Sequence, residues 1–455
     1  MPGKGLFKRQ SRKGLSPAQI FVFGFFILVI LGAVVLSLPI SSRTGEFTPF
    51  FESLFTAVSS TCITGLVVFD TFTHWSFFGQ AVILFLIQIG GLGFMTVATL
   101  FSFALRRSIG LKERMMMAQT LNLNEMDGIV RLTKHILLGT FAFEGAAAVI
   151  LAVRFIPDFG LAQGIWKGVF VSISAFCNAG FDLMGQNSPF SSLTAYADDV
   201  VVNLVICLLI VIGGLGFLVW EEIITVKKFS KMSVMARTVI VFNAALIVLG
   251  TVFIFFSELT NPETLGTLGI KGKFLSSLFQ SIAPRTAGFN TLDLAALRET
   301  TQVFMIILMF IGGASGSTAG GVKINTVAVL FFAIVAVFKG EDSVNMLKRT
   351  IPISIVLRAF TIIVAAFFLI FCGSIALCAF DGVPFVSALF ECTSAFCTVG
   401  LTLGITSALS APSLIFLMIL MFIGRVGLLT ASVALVLNQK TSHLIQYPEY
   451  KIIIG

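Results

Sequence analysis

Four short stretches of this chain carry hydroxyl, amide or thiol side chains and a late glycine: Ser59–Leu66 (SSTCITGL), Ser174–Phe181 (SAFCNAGF), Ile282–Phe289 (IAPRTAGF) and Ser394–Leu401 (SAFCTVGL). Their glycines, Gly65, Gly180, Gly288 and Gly400, lie 115, 108 and 112 residues apart, so the chain is four copies of one unit. An apolar residue and a phenylalanine precede each stretch, at Leu54-Phe55, Val169-Phe170, Leu278-Phe279 and Leu389-Phe390. Aligned on the glycine, the position three back holds Cys62, Cys177, Arg285 and Cys397. Two back are Ile63, Asn178, Thr286 and Thr398, and one back are Thr64, Ala179, Ala287 and Val399. Side-chain chemistry changes within most layers while glycine holds in all four copies. That pattern points to the main chain as the shared ligand, because glycine permits positive φ and puts a carbonyl where a side chain would collide. Stacked rings of such carbonyls replace the hydration shell of a cation.

These segments must be positioned by elements suited to a bilayer. With 57% hydrophobic residues, 11% charged residues and a mean hydropathy of +1.01, the chain is too apolar for an ordinary soluble domain. A crossing helix needs about 20 apolar residues, and windows such as 20–40, 201–220, 239–256 and 360–380 supply them. The net charge of +8 would suggest nucleic acid in a soluble protein, but its distribution excludes that. Twenty of the 30 lysines and arginines cluster in 1–17, 106–134, 227–237, 339–349 and 440–451, on alternate sides of successive helix pairs. By the positive-inside rule they mark one cytoplasmic face, with both termini on it. The basic segment before Pro17 leads into a long apolar run without a small-residue cleavage site, which reads as a first span rather than a signal peptide. The seven cysteines have no zinc-type spacing and read as small buried side chains.

Each unit reads helix, short dipping segment, helix. The predicted elements are 20–40, 48–64 and 76–105; 132–155, 162–181 and 198–226; 235–258, 271–290 and 301–338; and 352–380, 384–402 and 412–438. The middle pieces are too short to cross, and non-helical backbone at membrane depth survives only where protein buries it or a water-filled cavity lies beside it. The fold class is therefore an all-α polytopic membrane protein of eight spans and four re-entrant pore helices, arranged pseudo-fourfold around one pore. The divisions are a basic N-terminus (1–17), pore units at 18–110, 111–228, 229–340 and 341–440, and a cytoplasmic tail (441–455).

With those motifs in place, the sequence resembles the ion-translocating subunit of the Trk/Ktr/HKT superfamily of potassium transporters, most of all the bacterial Ktr membrane subunit. Thr-Gly-Leu at 64–66, Asn-Ala-Gly-Phe at 178–181, Pro-Arg-Thr-Ala-Gly-Phe-Asn at 284–290 and Thr-Val-Gly-Leu at 398–401 carry the resemblance. It implies potassium uptake at a bacterial plasma membrane, passive or sodium-coupled, through a filter of Ile63, Thr64, Gly65, Asn178, Ala179, Gly180, Thr286, Ala287, Gly288, Thr398, Val399 and Gly400. In plant relatives a serine at the first filter glycine goes with sodium, so Gly65 argues for potassium. The resemblance further implies a homodimer seated on a cytosolic ring of nucleotide-binding regulatory subunits, with no nucleotide or covalent cofactor on this chain.

Each second helix carries a glycine cluster, at 89–93, 212–216, 311–316 and 423–427. Close helix packing accounts for the first two. The third runs Gly312, Gly313, Ala314, Ser315, Gly316, Ser317, Thr318, Ala319, Gly320, Gly321, and each glycine costs a helix about 1 kcal/mol against alanine. This segment should break its helix in mid-membrane, and the resemblance implies that it is the gate below the filter. Arg425 in the fourth cluster should face the axis, since a charge in a span faces the bundle interior or water, and bond carbonyls of that loop. Arg285 should point backward and brace the filter, with Glu391 as partner. Asp70, Asp182 and Asp293, just past their filters, read either as carboxylates that concentrate cations at an outer mouth or as ordinary solvated loop residues. Two rivals are set aside. A sodium-selective or unselective pathway of the same architecture lacks its serine mark at Gly65. An intramembrane enzyme would need paired catalytic groups, and the three histidines (74, 135, 443) form no such set. The Gly316–Lys323 run resembles a phosphate loop only superficially.

Overall fold

The computed structural model describes residues 17–93, 129–186 and 188–427, and these are mostly helical. The first unit comprises α1 (Pro17–Ser37), α2 (Phe50–Thr61), the single turn α3 (Thr71–His74) and α4 (Phe77–Leu92). The second comprises α5 (Ile129–Phe159), α6 (Leu161–Phe176), α7 (Val200–Leu215) and α8 (Phe217–Val226). The third comprises α9 (Val234–Glu258), α10 (Ile270–Ile282), α11 (Glu299–Phe310) and α12 (Ile324–Phe338). A small hairpin, β1 (Val344–Met346) with β2 (Arg349–Ile351), leads to α13 (Ile353–Asp381), α14 (Phe385–Cys397) and α15 (Ala411–Val426). The predicted order of long helix, short helix and second helix thus recurs in all four units.

Length and composition explain the long elements. Helices α5, α9 and α13, of 31, 25 and 29 residues, are long and apolar enough to cross a membrane, and α7 with α8 meets the same criteria only when the bent pair is counted as one element. Their outward faces stay apolar, with Val153 67%, Leu249 63% and Phe368 65% exposed, whereas polar residues such as Glu144, Asn243 and Ser374 are buried. This inside-out distribution suits lipid as solvent, because a polar group facing hydrocarbon is expensive. Side-chain caps punctuate the other ends: Ser76, Asp199 and Ser233 accept the N–H groups of Gly79, Val202 and Ala236 at the starts of α4, α7 and α9.

The short helices are held from behind by second-helix glycines. A Cβ on Gly90, Gly213 or Gly424 would run into the carbonyl oxygen of Thr61, Phe176 or Phe396 respectively. In each unit that carbonyl lies four residues before the filter glycine, so one contact is made three times. Two apolar clusters close around these helices; one includes Ile63, Ala179 and Ala287, the other Cys62, Cys397 and Val399.

The second helices differ from the uninterrupted spans expected at 76–105, 198–226 and 412–438. They stop at Leu92, Leu215 and Val426, each followed by a glycine in one shared conformation: Gly93 (φ 82°, ψ 140°), Gly216 (92°, 139°) and Gly427 (89°, 136°). No helix continues through such a residue, and α8 leaves α7 at 95°. The first two glycine clusters are therefore both packing surfaces and helix ends. The remainders of the spans predicted to 105 and 438 lie outside the described residues, as do the basic N-terminus and the C-terminal tail. In the third unit the expected break is present, between Phe310 and Ile324.

These contacts give a stability test. Gly213→Ala should destabilise by about 1–3 kcal/mol through overpacking, read as a lower melting temperature of the detergent-solubilised protein. Gly145→Ala, on α5 with nothing within 4 Å of the added methyl, should be neutral or slightly stabilising.

Candidate functional site

Each of α2, α6, α10 and α14 ends at its motif, and three of the ends are built identically. After α2 the N–H groups of Ile63 and Thr64 donate to the carbonyls of Ser60 (3.1 Å) and Ser59 (2.8 Å). Asn178 and Ala179 donate to Ala175 (3.2 Å) and Ser174 (2.8 Å), and Thr398 and Val399 to Ala395 (3.1 Å) and Ser394 (2.8 Å). This nested pair is the Schellman motif, which requires a left-handed residue after the helix. Ile63, Asn178 and Thr398 supply it, with φ of 53°, 56° and 51°. Isoleucine and threonine adopt that region only when their surroundings impose it. Serine hydroxyls add a third tie: Ser59 Oγ accepts the N–H of Gly65 (3.1 Å), and Ser394 Oγ that of Gly400 (3.0 Å).

The third unit reaches a similar turn by other bonds. Arg285 N–H donates to Ile282 (3.1 Å) and Ala287 N–H to Ala283 (3.0 Å), while Thr286 sits at φ 69°. Pro284 and Arg285 occupy positions that carry an N–H donor and a thiol elsewhere, which accounts for the departure.

The four motifs come together at one place. A Cβ on Gly65 would meet Ala179 O at 2.5 Å and Gly180 Cα at 3.1 Å. On Gly180 it would meet Gly288 Cα at 2.8 Å and Ala287 O at 3.0 Å; on Gly288, Val399 O at 2.5 Å and Gly400 Cα at 3.4 Å. On Gly400 it would strike Thr64 O, with Gly65 Cα at 2.9 Å. Each glycine therefore faces the carbonyl that precedes the next glycine, and the sequence of contacts closes on itself. All four glycines have positive φ, from 72° to 93°. Around them Thr64, Asn178, Thr286 and Thr398 are fully buried. Asn178 Nδ2 reaches Thr286 Oγ1 at 3.5 Å. The C-terminal ends of all four short helices point here, and a helix carries roughly half a negative charge at that end, which favours a cation.

Residues 312–323 lie against two units besides their own, the second and the fourth. Gly312 N–H donates to Val322 O (2.9 Å), Ala314 N–H to Gly214 O (2.9 Å) and Thr318 N–H to Gly213 O (3.3 Å). Thr318 Oγ1 donates to Phe176 O (3.2 Å), and Phe217 N–H donates back to Gly316 O (2.8 Å). On the other side a Cβ at Gly321 would meet Cys397 Cα at 2.8 Å, and one at Gly320 would strike Thr398 Oγ1. Ser315 and Ala319 close the loop, Ser315 O facing Gly216 and Ala319 O accepting Lys323 Nζ at 2.6 Å. Ser317 Oγ donates to Ala314 O. Arg425 donates to Thr318 O (2.5 Å) and, through its other terminal nitrogen, to Gly90 O and Gly91 O. It thereby ties the loop to the first and fourth units, as its position in the glycine cluster suggested.

One expected pairing is not formed. Arg285 donates to Asn243 Oδ1 on α9, while Glu391 accepts from Thr406 Oγ1, so the two face different neighbours. The long helix of the third unit supplies the partner, which no motif alignment reveals. Sequence reasoning also passed over Ser59 and Ser394, although serine stands six before the glycine in three units. It passed over Glu144, a carboxylate inside a span that accepts both contacts from Gln88 Nε2 at 3.2 Å beside Cys177. The carboxylates beyond the filters do local work: Asp70 caps α3 and accepts Phe190 N–H (2.9 Å), and Asp293 accepts Ala295 N–H (3.0 Å). Asp182 accepts Met184 N–H (2.9 Å). Burial pushes the Asp182 carboxyl up to about 6, with Asp70 adding to the rise and the Met184 N–H, Ser192 and Lys167 opposing it. All described cysteines are free thiols.

Charged hydrogen bonds are worth about 1.5–3 kcal/mol, so Arg425→Met should loosen residues 316–320. Amide hydrogen exchange there is expected to speed up roughly tenfold or more, and unchanged exchange would dismiss the tie.

Comparison with known proteins identifies the family. Residues 24–445 match the TrkH family model, described as a cation transport protein. The chain is 40% identical over 440 residues to the Ktr system potassium uptake protein B of Bacillus subtilis, covering 97% of each. It is 38% identical over 459 residues to the potassium/sodium uptake protein NtpJ of Enterococcus hirae, covering 99% of this chain and 100% of that one. The crystal structure of TrkH from Vibrio parahaemolyticus shares the fold, with a TM-score of 0.73 at 18% identity over 94% of this chain and 86% of that chain. The four converging glycine motifs thus sit in a multi-pass membrane protein that belongs to the TrkH family of cation transporters.

Proposed function

We propose that this chain takes up potassium across a bacterial plasma membrane through a filter of backbone carbonyls, gated by residues 312–321. The observation that carries the reading is the closed circuit in which each filter glycine faces the carbonyl before the next. The four recurrent units then form a pseudo-fourfold pore of eight spans and four re-entrant helices, with both termini cytoplasmic. Carbonyls of residues 63–65, 178–180, 286–288 and 398–400 coordinate the dehydrated ion, and the converging helix ends add a field that favours a cation. Residues 312–321 cross below, latched by Arg425, and obstruct the path; Arg425 also repels a cation while the latch is closed. Arg285, bonded to Asn243, braces the third filter from behind, and Glu391 does the same for the fourth through Thr406.

The B. subtilis and V. alginolyticus relatives are named as Ktr system potassium uptake proteins, which supports potassium as cargo. In this reading the chain forms a homodimer on a cytosolic, nucleotide-binding regulatory ring that releases the gate, as the family resemblance implies. The E. hirae relative is named for potassium and sodium, and this favours a second reading in which sodium is co-transported by the same filter.

The test is rubidium or potassium uptake in a potassium-uptake-deficient strain, with and without sodium and a regulatory subunit. Gly288→Ser places a side chain against Val399 O and should lower potassium-over-sodium preference at least tenfold, since positive φ and contact both oppose it. Deletion of 314–319 should give flux without the regulatory subunit. Unchanged flux and selectivity in both variants would reduce the glycines to packing.

A pH dependence also follows. Asp182 is ionised above about pH 6 and neutral below it, so its attraction for cations is present above that pH and lost as pH falls through it. Apparent potassium affinity should weaken severalfold on external acidification from pH 7 to 5, and Asp182→Asn should flatten the profile.

A further inference from the structure

The bend at Gly216 opens an apolar groove that the filter and gate do not use. Its cavity of about 220 Å³ is lined by Leu132, Gly139 and Phe143 of α5 and by Leu215, Phe217 and Trp220 around the bend. Ile223 and Ile224 form its outer lip and are 41% and 67% exposed, so in a membrane protein the groove opens to lipid. One rim is polar: His135 Nδ1 lies 3.1 Å from Glu221 Oε2.

Basic residues stand immediately beyond that rim. Arg131 lies four residues before His135, on the same helix face, with Lys134 beside it and Lys227 and Lys228 directly after α8, all exposed. The acidic groups nearby are engaged, Glu221 by His135 and Glu222 by the N–H of Ser233 (2.7 Å). A slot lined by hydrocarbon under a basic rim, at the edge of a bilayer, fits one occupant best. We propose that the groove binds an acyl chain of an anionic phospholipid whose phosphate is held by Arg131 and Lys134. Lipid tails are as apolar as the protein surface they would leave, so the tail alone is not selected. The headgroup charge selects the lipid, and the groove fixes its place.

The occupant reaches the gate loop through two bonds. Trp220 Nε1 donates to Ile212 O at the end of α7 (2.8 Å), and Phe217 N–H donates to Gly316 O (2.8 Å). A chain packed on Trp220 and Phe217 holds α8 in its bent position and with it one edge of residues 312–321. This coupling rests on the reading of those residues as the gate; the binding does not.

The test uses the full chain in liposomes, with Trp166→Phe so that Trp220 and the buried Trp75 remain of the three tryptophans. Phosphatidylglycerol or phosphatidylcholine with brominated acyl chains quenches tryptophan on contact. Brominated phosphatidylglycerol should quench at a lower mole fraction than brominated phosphatidylcholine. Removing charge with Arg131→Gln and Lys134→Gln should raise the mole fraction for half-quenching about fivefold per residue, following roughly 1 kcal/mol per basic group. Gly139→Leu, which fills the groove opposite Trp220, should abolish the headgroup preference. Equal quenching by both lipids in the parent protein, quenching unchanged by all three substitutions, or no quenching of Trp220 at all overturns the proposal. Rubidium flux in the same liposomes reads the coupling: quenching that follows the pattern while flux ignores the lipid removes the coupling and keeps the site.

Discussion

The rest of the structure depends on how closely four glycine backbones approach one another. Between Gly65, Gly180, Gly288 and Gly400 there is no room for a methyl group, and every one of them has positive φ. Four loops cannot be brought this near by their own contacts, since each is too short to fold alone. Three are therefore fixed to the ends of buried helices by nested backbone bonds, and the third unit's loop by a different pair of backbone bonds. Behind the helices, Gly90, Gly213 and Gly424 let second helices close to carbonyl contact. Glycine recurs at both radii for one reason: backbone must touch backbone.

That packing leaves polar groups in an apolar protein, and their placement is selective. Hydroxyls of Ser59 and Ser394 secure filter amides, whereas the main-chain carbonyls one before each glycine are directed at the neighbouring motif. In these motifs the filter-glycine amides of the first and fourth units are thus tied locally, while a carbonyl of each unit is set against the next. The third unit departs from its siblings, with Pro284 in the turn and Arg285 reaching Asn243. It is also the unit whose second helix dissolves into the loop at 312–323. The copy with the most divergent motif carries the segment that is bonded to both the second and the fourth units.

Much of this was legible from composition and repetition. The four-unit order, the short helices and the break in the third second helix follow from hydropathy, chain length and the density of glycine in 312–321. Convergence of the four glycine motifs was legible too, because a glycine kept in every copy amid changing side chains signals a backbone role. What escaped was conformational. Gly216 ends a helix at 95° because it takes φ 92°, and a sequence of Ile-Gly-Gly-Leu-Gly reads equally as helix packing. The partner of Arg285 escaped for a different reason, since Asn243 lies 42 residues away on a helix whose facing is set by tertiary contact. Glu391 stood nearer in the alignment of units but turns to Thr406.

The loop at 312–323 is bonded to its neighbours on both flanks: to Gly213, Gly214, Phe176 and Phe217 on one side, and to Arg425 on the other, which itself spans to Gly90 and Gly91. Such a segment behaves as a keystone. Lifting one edge strains the other, because the same few residues share both sets of bonds, so intermediate positions lose hydrogen bonds without gaining new ones. Substitutions on opposite flanks, though far apart, are then energetically coupled and combine non-additively. The bonded and the released arrangements of the loop are then two discrete states rather than the ends of a continuum, because a close-packed interior switches rather than deforms.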